Sequence, residues 1–86
     1  MGAGIEQSSP YMEGRWAAER MLPRIEQTTF KSLEGAILHK TALISKFEED
    51  FGFNREMDYT DDPNGNYAYN LGMLDEFMSY KEKENG

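Results

Sequence analysis

Apolar residues recur at spacings of three and four along two stretches of this chain, and the stretch between them loses that period. The clearest run is Phe30, Leu33, Ile37, Lys40, Ile44, Phe47 and Phe51, with Lys40 its one polar member. Such spacing places side chains on one helical face. Thr28 or Thr29 is positioned to cap its start, and Gly52 stands where a left-handed C-cap glycine belongs. The pattern predicts a helix of about 22 residues, roughly 33 Å at 1.5 Å per residue. Three heptads of this kind suit a helical hairpin or a seam between copies.

An earlier stripe runs through Tyr11, Ala18, Leu22 and Ile25, joined by Met21. Ser9-Pro10 reads as its N-cap and first helical residue. Pro23 removes a donor and disfavours helical geometry at Leu22, so this helix stops or kinks there and Arg24 to Thr28 reads as a turn. Residues 1–8 are small and polar without period and read as an arm.

The chain from 53 to 70 carries turn chemistry. Asp58 to Asn66 is almost wholly Asp, Asn, Thr, Pro and Gly, and Asn64-Gly65 is a strong hairpin signal. Asp and Asn are poor strand formers, which favours an irregular loop over a hairpin. Asn70 then caps a last helix with Leu71, Leu74, Phe77, Met78 and the stem of Lys81 on one face. The expected fold is mainly α: two to three helices, as a hairpin or small bundle, with an acidic loop or short hairpin before the last. The expected single domain divides into an arm (1–8), a helical region (9–52), the acidic loop (53–70), and a helix with tail (71–86).

Composition sharpens this picture. Eighty-six residues suffice for one domain with a modest core. There is no cysteine, which excludes a disulfide framework, a thiolate zinc site and a Cys nucleophile. No stretch approaches the roughly 20 apolar residues of a bilayer span. The start lacks the basic and apolar regions of a signal peptide, so the expected location is cytoplasmic.

The net charge of −7 is unevenly placed: residues 1–46 carry five acids and six bases, residues 47–86 eleven acids and three bases. Phosphates need a basic footprint, so nucleic acid is disfavoured as a direct partner and a basic protein surface is favoured.

Candidate chemistry is sparse. Asp62, Asn64 and Gly65 match positions three, five and six of an EF-hand loop, but that register puts Leu71 where a bidentate Glu is needed. His39, the only histidine, falls about opposite the Phe30–Phe51 stripe, on a polar face beside Lys46 and Asp50. Glu48 and Glu49 point about 100° apart on a helix and form no acid/base pair. There is no G-x-S-x-G, Walker loop or G-x-G-x-x-G. No catalytic residue, metal site or cofactor is expected.

Two features suit a partner. Met12 and Trp16, spaced i, i+4, lie off the Tyr11–Leu22 stripe. They form either a contact or a second buried side, and the scarcity of large apolar groups tips Trp16 slightly towards the core. The other is the acidic, tyrosine-bearing stretch with Asp58, Tyr59, Asp61, Asp62, Tyr67 and Tyr69. The sequence thus points to a small acidic binding protein, an inhibitor or adaptor that occupies a basic, nucleic-acid-binding surface of a larger protein. A homo-oligomer packed through Phe30, Leu33, Ile37, Ile44, Phe47 and Phe51 is expected as well, and one alternative function is a self-assembling structural or accessory subunit of a larger complex. Another is a small-ligand binder or minor enzyme with its site between subunits.

Overall fold

The computed structural model describes residues 4–85 and contains three α-helices: α1 (Ser9–Met21), α2 (Leu33–Phe51) and α3 (Asn66–Asn85). No strand forms among the described residues, and the mainly helical fold is the one expected. Pro10 lies against Gly65 and Arg15 reaches Glu76, so α1 and α3 run the same way. Glu48 meets Tyr67, Lys40 meets Asn70 and Phe30 meets Phe77, so α2 runs opposite.

α1 and α2 both pack principally on α3, which makes α3 the central element. At 20 residues it spans about 30 Å of a molecule 38 Å long. Its first three turns bury Tyr67, Ala68, Leu71, Gly72, Met73, Leu74 and Phe77. A helix clamped from two sides is apolar around most of its girth, which explains why its period reads weakly in the sequence. Met78, placed on the expected core face, is 44% exposed.

Five local expectations are corrected. The helix start at Ser9 shifts by one residue: Ser8 is the N-cap, its Oγ accepting from the Tyr11 N–H and donating to the Ile5 carbonyl. Within the expected arm, Ile5 is fully buried and Gly4 bridges Asp58. A single branched aliphatic side chain anchors this segment, which periodicity cannot detect. The start of α2 moves from Thr28–Thr29 to Ser32, whose Oγ accepts from the Gly35 N–H. Lys31 at φ 71° prevents a helix from starting at Thr28 or Thr29 and running through it.

A further correction concerns 53–70. Asn64 and Gly65 adopt the positive φ values their dipeptide favours, 63° and 69°, but the turn feeds a helix rather than a strand. Asp62 decides this: its carboxylate accepts from the backbone N–H groups of Tyr67 and Ala68 at 3.1 and 2.8 Å. These are orphan donors of a helix start. Hence α3 begins at Asn66, five residues before the expected 71. Asn70 lies inside α3, its Nδ2 donating to the Asn66 carbonyl.

Leu22–Gln27, most of which was expected to be a turn, forms a short 3-10 helix kinked at Arg24; two other expectations match. α1 ends at Met21, just before Pro23, and Gly52 caps α2 at φ 72°.

Candidate partner-binding surface

One end of the molecule gathers the start of α1, the end of α2, the 52–65 connection and the start of α3. Residues 47–65 hold seven acids against one base, Arg55. The structure divides the acidic candidates into two groups. Asp61 and Tyr59 face solvent. Asp58 is half-buried, and its Oδ1 accepts from the Thr60 backbone N–H and hydroxyl. Those bonds hold the Asp58 carboxyl below its ordinary range.

Asp62 and Tyr67 do not belong to the surface, which corrects their placement there. Asp62 is 6% exposed, and capping α3 occupies both of its oxygens. Tyr67 is fully buried, its hydroxyl donating to Glu48 Oε2 at 3.1 Å. Burial, reinforced by Glu48, pushes the Tyr67 phenol well above its ordinary 10.0. Tyr69 is 36% exposed at the crossing of α3 with α1.

The most exposed aromatic group at this end is one the period placed on a seam. Phe51 is 66% exposed. It stands 5.4 Å from Phe53 and 6.1 Å from Phe47, ring centre to ring centre. Phe47 and Phe53 stack with planes within 7°, and both meet Tyr67 edge-on. Two clefts of about 170 and 190 Å³ share Phe47 and Phe51 as walls. A third, of about 310 Å³, lies between the start of α1 and the turns at Tyr59–Gly65.

The remaining seam candidates are chiefly internal. Leu33 and Ile44 are buried in this chain's own core, while Phe30, Ile37 and Phe47 are half-buried against it. The early start of α3 gives α2 a longer neighbour than expected, which leaves Phe51 as the stripe's one exposed member.

Lys40, the polar member of the stripe, is 8% exposed. Its Nζ donates to Asn70 Oδ1 at 2.7 Å and lies 5.6 Å from the centre of the Phe30 ring. Burial lowers its pKa. His39 is exposed, yet its ring rests 5.1 Å from that of Phe30, because Phe30 sits in the turn before α2 rather than on its wheel.

On α1, Met12 is 40% exposed and Trp16 53%, so the inclination to place Trp16 in the core is overturned. The largest fully buried side chains are instead Tyr67, Phe77, Ile5 and Leu71, while Gly14 and Gly72 bring α1 onto α3.

A polar network fixes the acidic end to the rest. The Arg55 guanidinium forks onto Asp75 at 2.7 and 2.9 Å and reaches Glu6 at 2.8 Å. Tyr11 donates to Asp75 at 2.5 Å, and Arg15 donates to Glu76 at 3.1 Å. Burial pushes the Asp75 carboxyl up, but the bonds from Arg55 and Tyr11 outweigh it and hold it below its ordinary 3.8. The hydrogen bond to Asp75 raises the Arg55 pKa further above the physiological range. No sequence period links Arg55 to Asp75, and this network was not legible.

Among the described residues, no group of three His, Asp or Glu side chains is placed to hold a metal ion, and no helix is long and apolar enough to cross a membrane. Comparison with protein-family models, curated proteins and solved structures finds no match.

Proposed function

We propose that this chain is a small acidic binding protein of the cell interior that docks its acidic, aromatic end on a basic surface of a larger protein. As an inhibitor or adaptor it occupies a surface otherwise used for nucleic acid. The observation that carries this reading is the juxtaposition, in residues 47–65, of the six acids outside the core (Glu48, Glu49, Asp50, Glu56, Asp58 and Asp61) with the exposed rings of Phe51 and Tyr59. Carboxylates steer a basic partner into encounter, and aromatic rings supply contact area at little entropic cost.

Affinity capture from the native host tests it, comparing the wild-type chain with a Glu49→Lys/Glu56→Lys/Asp61→Lys variant. All three residues are exposed. The wild type should retain a basic protein that duplex DNA displaces. Retention should fall with salt, as the Debye length shrinks from about 10 Å at 0.1 M to about 3 Å at 1 M. Equal retention by the triple variant would sink the reading.

The exposure of Phe51 and of Leu38, at 66% and 72%, favours a second reading, self-assembly of copies. Light scattering at about 100 µM separates it, since a 9.9 kDa particle excludes it.

A further inference from the structure

We infer that the aromatic cleft at the end of α2 is a subsite selective for arginine over lysine side chains of the partner. This rests on the reading that the acidic end meets a basic protein. Phe51 offers an exposed ring beside Phe47 and Phe53. Helical spacing sets Glu48 and Asp50 on the two sides of the Phe47–Phe51 ridge. Aromatic faces flanked by carboxylates match a guanidinium, which stacks as a plane and forks onto a carboxylate. An ammonium is a compact, strongly hydrated charge and gains less from the rings.

Size agrees. The two clefts, about 170 and 190 Å³, lie below the roughly 300 Å³ at which small-molecule pockets begin. They suit single long side chains rather than a folded ligand. Among the described residues Asp50 pairs only with Lys46, an exposed contact at 3.4 Å that an incoming guanidinium can displace. A second copy of this chain is the poorer occupant, because seven acids against one base would face their like.

The test titrates the full chain with hexa-arginine and hexa-lysine peptides in low salt, reading phenylalanine ring resonances by NMR. Hexa-arginine should move the rings of Phe47, Phe51 and Phe53 and bind about fivefold tighter than hexa-lysine. Phe51→Ala should erase that preference, and Phe51→Tyr, which keeps the ring face, should retain it. Equal affinities would overturn the subsite while leaving the docking reading standing. Binding of neither peptide would overturn both. A dimer abolished by Phe51→Ala would assign the cleft to a second copy and overturn the arginine assignment.

Discussion

Gly14 of α1 lies directly against the backbone of Tyr69 of α3: a Cβ at position 14 would overlap the Tyr69 carbonyl oxygen. Gly72 repeats the relationship in reverse, where a Cβ would overlap the carbonyl oxygen of Tyr11. Ala17, Ala18 and Ala68 are buried as well, Ala18 within the cluster that holds Met73 and Phe77 of α3. Two helices meet here through backbone, which is why α1 needs no large apolar stripe.

Gly14→Ala and Gly72→Ala should therefore each destabilise the fold by about 1–3 kcal/mol, as overpacking does. An exposed helical glycine behaves oppositely, gaining about 1 kcal/mol on replacement by Ala. Urea unfolding of the two variants reads the sign. Stabilisation by either substitution would show that α1 and α3 do not approach this closely.

What was legible follows from these packing modes. α2 announced itself because it is buried on one side, by large residues at helical spacing. α3 is covered on two sides, and α1 meets it through Gly and Ala, which carry little hydropathy. The exposed Phe51 was visible only as part of a stripe. The role of Asp62 was hidden because an acid in a turn and an acid capping the following helix look alike until the turn's exit is known. Arg55 and Asp75 lie 20 residues apart in different elements and meet only by tertiary packing.

Acid should unfold the protein in part through Asp75. Its folded pKa is depressed below its ordinary 3.8, so its contribution is fully present above that value. The contribution is lost as pH falls through the folded value. Asp75→Asn should cost about 2 kcal/mol at pH 7, since Arg55 and Tyr11 lose a charged acceptor. It should also flatten the acid limb of a stability–pH curve, and a variant with an unchanged acid limb would count against the network.

The alkaline side has two opposed contributions. The Lys40 pKa is lowered, so the folded state sheds that proton first, and stability rises as pH climbs from the folded value towards the ordinary 10.5. The Tyr67 pKa is raised, so its contribution is full below 10.0 and is lost above it. Lys40→Met should remove the rising limb and lie within about 1 kcal/mol of wild type at pH 7, because it replaces a buried charge with a side chain of similar length. Tyr67→Phe should remove the falling limb. Chemical denaturation between pH 7 and 11 checks both, and an unaltered rising limb in Lys40→Met would refute the first.

Trp16→Ala should cost about 1 kcal/mol or less, because the indole is 53% exposed; a core Trp costs about 3–5 kcal/mol. The only tryptophan should emit at the wavelength of a partly hydrated indole and be accessible to iodide. If the surface around Met12 and Trp16 takes part in docking, the emission should shift blue with partner bound. A strongly blue-shifted, unquenchable emission from the free protein would contradict the exposed placement.

Ile44 and Phe51 belong to one stripe but should respond oppositely to substitution. Ile44 is 6% exposed and packs with Ile5, Tyr67 and Leu71 in the core. Ile44→Asp places an unpaired carboxylate there at a cost of several kcal/mol, a large share of a small domain's stability. It should unfold the chain rather than dissociate an assembly. Phe51→Ser removes a ring that is 66% exposed and should leave the fold within about 1 kcal/mol of wild type. Whatever Phe51→Ser loses in scattering mass or partner binding is then an interface effect, since circular dichroism and the urea midpoint should stay near wild type. A Phe51→Ser chain that unfolds would show that the ring closes the core, and the cleft would lose its claim to a partner.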